Sequence, residues 1–261
     1  MVSHTFAVVP YGESQYLEAC LTSVLNQRDA SQVLVSTSTP NKHIAHLCEK
    51  YALPLHINRG IGGICDDWNF AISCASTQYI TLCHQDDIYL PGYRHAIIEA
   101  IQKVPDALIH FTDYGELRGS EVVTKSSLLR VKRLMLLPVR LKHLQSRRLI
   151  KRAILSLGNP ICCPSVTYHL SKLPRPLFQG RFKSNLDWQA WEQFSRLQGH
   201  FSYIPKVFML HRIHAASTTS KIIGESLRSQ EDEAIFRLFW PPHIAAYLAK
   251  RYAASEKSNR I

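Results

Sequence analysis

The sequence predicts an α/β protein whose mixed, mostly parallel sheet is flanked by helices. Short apolar runs rich in β-branched residues alternate with segments in which apolar residues recur at helical spacing. The helical segments are about 10 to 14 residues long, which is typical of βαβ units with right-handed crossovers. Glycine, proline and asparagine stand between the two kinds of segment. With 46% hydrophobic residues, the chain can form one large domain or two small ones.

The clearest alternation lies in the first 115 residues. Five apolar runs predict strands at 5–10, 32–38, 54–58, 79–84 and 107–115. Four helices are predicted between them, at 14–27, from Asn41 onward, after the glycines at 60–63, and around 93–104. Ligands of open parallel sheets collect outside the carboxyl ends of the strands. Residues that directly follow a strand are therefore the candidates for a functional site.

Composition and missing motifs exclude several protein classes. No apolar run approaches the ~18 residues of a membrane span, and the chain begins with a strand-like run rather than a signal peptide. The seven cysteines are scattered and form no C-x-x-C pair, which disfavours a zinc site and a disulfide framework and predicts a cytoplasmic protein. The nucleotide motifs G-x-G-x-x-G after the first strand and G-x-x-x-x-G-K-[ST] are both absent.

The net charge of +11 is concentrated in the middle of the chain. Residues 122–186 contain no acidic residue but 14 basic ones. Within this stretch, 126–158 predicts two helices broken at Pro138, with leucine and isoleucine interleaved among arginine and lysine. Such a pair is either a solvated helical pair or a surface that meets anionic lipid headgroups.

Two adjacent carboxylates, Asp86 and Asp87, directly follow the apolar run at 79–84. A solvated turn is one interpretation, because Pro91 and Gly92 come soon after. A divalent cation is the other, since residues 11–13 follow the first strand at the same predicted sheet edge.

Four segments together resemble the family 2 glycosyltransferases. In chain order they are "FAVVPYGESQYLEACLTSVLNQ", "NRGIGGICDDWNFAISCASTQYITLCHQDDIYLPGY", "SNLDWQAWEQFSR" and "HRIHAASTTS", and they span most of residues 4–220. The stretch 158–169 also resembles the acceptor-side strand and loop of that family. The resemblance implies a GT-A fold, a nucleotide-diphosphate sugar donor, a divalent metal and inversion at the anomeric carbon.

The resemblance also implies roles for individual residues. Donor binding is implied for a set spread over several loops: Pro10, Tyr11, Glu13, Ser36, Asp67, Asp86 and Arg212. A Mn²⁺ or Mg²⁺ site is implied at Asp86, Asp87 and His214. The expected nucleotide is UDP.

The general base implied by the resemblance is Asp187, with Glu192 as the alternative. Asp187 is the first acid after the acid-free stretch, so we expect nearby positive charges to keep it ionised. The sequence departs from the family pattern at three places. The segment "STSTPN" after the second strand lacks the acidic residues that are usual there. His84 occupies the first acidic position of the D-x-D-D motif, and Trp68 stands where arginine is usual before Asn69.

These implications predict three segments: a nucleotide-sugar half at 1–117, an acceptor half at 118–224 with the basic insertion at about 126–158, and a helical tail at 225–261. The tail either packs on the core or pairs with another copy of the chain. The expected acceptor is a saccharide or a lipid-linked saccharide of bacterial-type surface polysaccharide or lipopolysaccharide synthesis.

The expected location follows from the same reasoning. It is the cytoplasm, with possible contact to the inner face of the cell membrane through the basic insertion at about 126–158.

Two alternatives stay open on sequence grounds. One is a non-catalytic protein that binds a membrane surface or nucleic acid through its basic stretch, although no nucleic acid is expected. The other is a sugar nucleotidyltransferase. It is disfavoured because the segment "PYGES" after the first strand lacks the basic, glycine-rich loop that this class resembles.

Overall fold

The computed structural model describes residues 2–27, 31–214 and 225–257, with side chains of the last segment described for 228–254. The strands are β1 His4–Val9, β2 Gln32–Thr37, β3 Leu55–Ile57, β4 Tyr79–His84, β5 Ile88–Tyr89, β6 Ala107–Arg118, β7 Glu121–Val123, β8 Val166–His169 and β9 His200–Ile213. The helices are α1 Leu17–Leu25, α2 Lys42–Lys50, α3 Ile64–Ser73, α4 Tyr93–Lys103, α5 Ser127–Met135, α6 Arg148–Ala153, α7 Leu186–Ser195, α8 Glu225–Phe236 and α9 Pro242–Lys257.

The described strands form one mixed sheet in the order β3-β2-β1-β4-β8-β6-β9-β5, with β7 paired to β6. The predicted mixed α/β fold is confirmed. Pairs β1–β2, β1–β4, β2–β3 and β6–β9 are parallel, while β4–β8, β5–β9, β6–β7 and β6–β8 are antiparallel. The antiparallel share is larger than the sequence suggests because β8 inserts between β4 and β6, and β5 folds back onto β9.

The sheet is buried on both faces. Alternate side chains of β1 enter different apolar clusters, with Ala7 in one and Phe6 and Val8 in the other. The cluster around Ala7 contains residues of α3, α7, α8 and α9. The cluster around Phe6 contains residues of α1, α2, α4 and α5. Helices therefore cover each face, which leaves the strand ends as the accessible places for a ligand.

The basic insertion is more irregular than two helices. Short 3-10 helices at Leu137–Arg140 and Lys142–Leu144 separate α5 from α6, and Pro138 is the second residue of the first of them. Some of its charges are structural: the buried Lys151 ammonium donates to the carbonyls of Leu197 and Gly199 at 2.7 and 2.8 Å. Part of the basic character is therefore used inside the fold.

The C-terminal helices pack on the core, as one of the two sequence interpretations expects. The Phe236 and Tyr252 rings lie against Trp188, with centroids 5.1 and 5.4 Å away. The segment boundaries at 117/118 and 224/225 stay predictions, and β6 runs through the first of them. Within the described ranges, no helix combines the length and the apolarity that a bilayer-spanning segment requires.

Candidate active site

The ends of β4 and β9 meet because of the pairing of β5 with β9. Ile88 lies opposite Leu210 and Tyr89 opposite Met209. This register brings the residues just before β5 against the residues just after Leu210. Two predicted motifs that are more than a hundred residues apart in sequence, at 84–87 and 211–214, therefore form one cluster.

Asp87 is the buried centre of this cluster. Its Oδ1 lies 2.9 Å from His211 Nδ1 and accepts the backbone N–H of Arg212 at 2.9 Å. Burial acts to raise the pKa of Asp87, but the charge and hydrogen bond of His211 hold that pKa below its usual range. Burial acts oppositely on His211, whose pKa is nevertheless raised by Asp87. The two side chains form an ion pair that links β9 to the residues that follow β4.

Asp86 faces the other way and is partly exposed. Its backbone carbonyl accepts Arg212 Nε at 2.8 Å, and its Oδ2 lies 2.8 Å from His214 Nε2. The Tyr16 ring packs against both partners, 4.3 Å from the Arg212 guanidinium carbon and 4.9 Å from the His214 ring centre. A carboxylate, a guanidinium and an imidazole thus share one small surface at the strand end.

This surface fits a divalent cation bound together with a diphosphate. The Asp86 oxygen and the His214 nitrogen are a ligand pair suited to Mn²⁺. In residues 2–27, 31–214 and 225–257, no three or more His, Cys, Asp and Glu side chains are grouped as a complete metal site. Phosphate oxygens and water would supply the remaining ligands. The carboxylate of Asp87 is fully buried and turned toward β9, so the structure does not bring it to this surface.

A second polar cluster joins the ends of β2 and β3 to the start of α3. The Asp67 carboxylate accepts the Ser38 hydroxyl at 2.8 Å and the Asn58 amide at 2.8 Å. Asn58 also donates to Asp66 at 2.8 Å, and Asp66 accepts the Gly62 N–H at 3.0 Å. These bonds shape the glycine loop beside the predicted donor residue Asp67.

The other predicted donor residues differ in accessibility. Pro10 is buried, whereas Glu13 is exposed and Tyr11 is 48% exposed beside Gln85, which bonds its backbone. Ser36 lies inside β2 and is 1% exposed. The serine that contacts Asp67 is Ser38, and not Ser36. A contact from Ser36 to a ligand stays a prediction.

Asp187 begins α7 and faces the end of the basic insertion. Its Oδ2 accepts Asn159 Nδ2 at 2.8 Å, and its Oδ1 accepts the Trp188 N–H at 2.7 Å. Burial raises the pKa of Asp187, and these two bonds and the charges of Lys132 and His84 only partly oppose that rise. The positive charges thus act in the expected direction, but burial outweighs them, and the ionised state of Asp187 stays a prediction. A raised pKa makes the carboxylate a stronger proton acceptor.

Glu192, the alternative base, is occupied elsewhere. Its Oε1 accepts Arg196 Nε at 2.8 Å and also pairs with Arg152. Both guanidiniums hold this buried carboxylate within the packing of α6 against α7, so the structure does not bring it to the candidate site.

Known proteins share both sequence pattern and architecture with this chain. The family model described as Glycosyl transferase family 2 matches residues 5–164, which is more than half of the chain. This protein belongs to glycosyl transferase family 2. No curated protein sequence matches the chain.

Several solved structures share the fold of this family 2 protein. S. aureus TarS 1–349 in complex with UDP-GlcNAc has a TM-score of 0.66 at 14% identity, covering 99% of this chain and 74% of that one. The same protein with UDP gives 0.63 at 14% identity, covering 98% and 72%.

Glucosyl-3-phosphoglycerate synthase from Mycobacterium tuberculosis, in complex with Mn²⁺, UDP and glucosyl-3-phosphoglycerate, gives 0.54 at 13% identity, covering 82% and 73%. At such identities these likenesses show the fold, a GT-A architecture.

The structure also shows site residues that the sequence prediction missed in this family 2 protein. Asn58 and Tyr16 had no assigned role, yet Asn58 organises the glycine loop and Tyr16 supports Arg212 and His214. Asn58 directly follows β3, so its position after a strand was an available signal. Tyr16 had none, because its contact depends on where the end of β9 lies.

Proposed function

We propose that this protein is an inverting, metal-dependent glycosyltransferase that moves a sugar from a UDP-sugar to a saccharide or lipid-linked acceptor. The observation that carries the proposal is the joint position of Asp86, Arg212 and His214 where β4 and β9 meet. A cationic guanidinium, an imidazole and a single accessible carboxylate on one surface suit a metal-bound diphosphate.

Each residue has a distinct task in this proposal. The Arg212 fork binds diphosphate oxygens and stabilises their negative charge. A bound Mn²⁺ or Mg²⁺ on Asp86 and His214 would neutralise further charge on the leaving diphosphate. Asp187 takes the proton of the acceptor hydroxyl while that oxygen bonds to the anomeric carbon and the bond from that carbon to the diphosphate oxygen breaks.

The choice of UDP is supported by the ligands named for the similar structures. TarS was solved with UDP-GlcNAc and with UDP, and the synthase with UDP and Mn²⁺. The Ser38, Asn58 and Asp67 cluster lies at the ends of β2 and β3, where we place the uridine. The transferred sugar is left open in the proposal.

We include contact with an anionic membrane surface. The basic insertion exposes Arg147, Arg148 and Leu149, with Leu149 81% exposed, and Leu134 is 65% exposed nearby in sequence. Apolar and cationic side chains together favour interfacial binding. Co-sedimentation with vesicles containing phosphatidylglycerol tests this part, and Leu149→Asp should reduce the bound fraction severalfold. Unchanged binding by that variant would contradict it.

The central proposal is tested by calorimetric titration of UDP and of GDP, each with and without Mn²⁺. We expect UDP to bind in a Mn²⁺-dependent manner and Asp86→Asn to weaken binding at least about tenfold, a loss of about 1.4 kcal/mol. Asp106→Asn is the matched control, because Asp106 is exposed and precedes β6, at the opposite ends of the strands from Asp86. Binding of neither nucleotide under any condition would refute the transferase proposal.

A further inference from the structure

A groove of about 190 Å³ lies between α5, the turn after α6, and the C-terminal helix α9. Its lining is mostly apolar and is formed by Leu128, Val131, Met135, Leu157 and Leu248. Val131 and Leu157 are 54% and 56% exposed, so two large apolar side chains of the groove face solvent in the free protein. The groove is not part of the surface formed by Asp86, Arg212 and His214.

The wall of this groove is held in place by tryptophans. Trp188 Nε1 donates to the Leu155 carbonyl at 3.1 Å, and Trp240 Nε1 donates to the Ser156 carbonyl at 2.7 Å. Gly158 follows with a φ of +154°, and a Cβ there would lie 3.0 Å from the Tyr252 ring. A glycine is thus needed for α9 to approach the turn this closely. The groove is a built feature rather than a gap between loose segments.

The groove is directly connected to the proposed base. Asn159, which lines it, donates to Asp187 at 2.8 Å. Lys132 lines it as well, and its positive charge acts to lower the pKa of Asp187 against the effect of burial. A molecule in the groove would therefore lie next to the residue that is proposed to deprotonate the acceptor.

Two cations accompany the apolar lining. Lys132 donates to the Tyr114 hydroxyl at 2.9 Å, and Arg251 is exposed at the rim. Among the described residues, neither Lys132 nor Arg251 has a carboxylate partner. An occupant that uses both the apolar lining and these cations must carry hydrocarbon and negative charge together.

We propose that this groove binds the alkyl chain and the phosphate of an amphiphilic acceptor, next to Asp187. The inference rests on the proposed function and deepens it, because it selects a phosphate-bearing, lipid-linked acceptor over a free saccharide. The hydrocarbon packs on Val131 and Leu157, and the phosphate pairs with Lys132 and Arg251. The acceptor hydroxyl then points to Asp187.

Octyl phosphate below its micelle concentration is the probe, titrated into the full-length protein by calorimetry. We expect saturable binding that Val131→Asp weakens about tenfold, because a carboxylate would lie among apolar groups and near the phosphate. Val122→Asp is the matched control: Val122 is 53% exposed but lies on β7, outside the groove. That control should change the dissociation constant less than about twofold. Circular dichroism of each variant verifies its fold.

Three outcomes would overturn the inference: no binding of octyl phosphate to the wild type, equal weakening by both variants, or equally tight binding of inorganic phosphate. Binding to anionic vesicles, measured on the same proteins, distinguishes an acceptor site from a membrane-binding surface. If Val131→Asp loses vesicle binding but keeps octyl phosphate binding, the groove contacts membrane lipid and the inference fails.

UDP titration is run on every protein. A wild type that binds octyl phosphate but not UDP refutes the proposed function, whereas the reverse result refutes only the groove.

Discussion

The Trp68 ring stacks on the His84 ring, with centroids 5.0 Å apart and an interplanar angle of 23°. These are two of the three places at which the sequence departs from the pattern of its family, and the fold places them in contact. Phe178 closes the stack edge-on to Trp68 at 4.9 Å. Burial lowers the pKa of His84, so the ring is neutral at pH 7. An aromatic pair here replaces the acid and arginine that the family commonly has.

An acidic residue at position 84, where the family commonly has one, should therefore destabilise this protein. His84 Nδ1 is 3.8 Å from Asp87 Oδ2, a fully buried oxygen without a hydrogen-bond partner in the described part of the chain. A carboxylate at position 84 would face that oxygen with like charge. We expect His84→Asp to lower the free energy of unfolding by about 1–2 kcal/mol more than His84→Asn, which loses the stack without adding charge. Equal denaturant midpoints for the two variants would contradict this explanation.

The two adjacent aspartates should have different roles, with Asp87 structural and Asp86 ligand-binding. Asp87→Asn weakens the pair between the buried Asp87 carboxylate and the partly exposed His211, and should lower the free energy of unfolding by about 1–3 kcal/mol. Asp86→Asn should leave stability within about 0.5 kcal/mol, because its carboxylate is partly exposed, while weakening Mn²⁺-dependent UDP binding. Thermal unfolding and UDP titration on both variants measure the two effects. A stable Asp87→Asn variant that has lost only nucleotide binding would assign the ligand role to Asp87 instead.

The sheet core contains two histidines whose burial makes the protein sensitive to acid. Burial lowers the pKa of His4 and of His110 to about 3, from an ordinary 6.5. The unfolded chain binds these protons first, so the stabilisation is complete above pH 6.5 and is lost as pH falls from 6.5 toward 3. The free energy of unfolding should fall by about 1.4 kcal/mol per pH unit for each histidine across this window.

His110 allows a direct test, because both of its ring nitrogens lack a hydrogen-bond partner among the described residues. His110→Phe should raise stability at pH 7 and make the decline between pH 6 and pH 4 shallower by about one proton. His4 is the contrasting position, since it bonds Ser31 and Thr81 and its replacement by Phe should destabilise at every pH. Urea unfolding across that pH range measures both. An unchanged slope in His110→Phe would show that His110 does not take up a proton on unfolding.

Local periodicity was sufficient to predict β1, β2, β4, β6 and α1 to α4, because each is long enough to show its own alternation or helical spacing. The three-residue strand β3 was predicted because it lies within the longer apolar run 54–58. Strands β5 and β7, of two and three residues, were missed. They exist only because of a partner strand, and a run this short has no measurable period. The same limit applies to the site, since the approach of Asp87 to His211 depends on the β5–β9 register.

Position after a strand was sufficient to select Asp86 as a candidate, whereas Arg212 and His214 were selected by the family resemblance. The roles of all three stay predictions. Ser36 illustrates the error that remains. A strand end is uncertain by a residue or two when it is read from the sequence, and Ser36 lies inside β2, which ends at Thr37. The serine two positions later, Ser38, is the one that reaches Asp67. The sign of the pKa shift at Asp187 was also beyond the sequence, because burial is a property of the packed fold.

The hydrogen bond from Asn159 to Asp187 should set the pH range of the transfer reaction. Removing it in Asn159→Ala eliminates an interaction that favours the carboxylate form, so the already raised pKa of Asp187 should rise further. The base must be deprotonated to act, and the acidic limb of the profile of kcat/KM against pH should therefore move to higher pH. Asp187→Asn should lower the rate of UDP release from the sugar donor by about 10²–10⁴-fold. The dissociation constant of UDP should change little. Asn185→Ala is the control for Asn159→Ala, because the buried Asn185 amide donates to Asp232 and not to Asp187. An acidic limb that stays in place in Asn159→Ala, with activity merely reduced at all pH values, would mean that Asn159 only packs and that another group titrates.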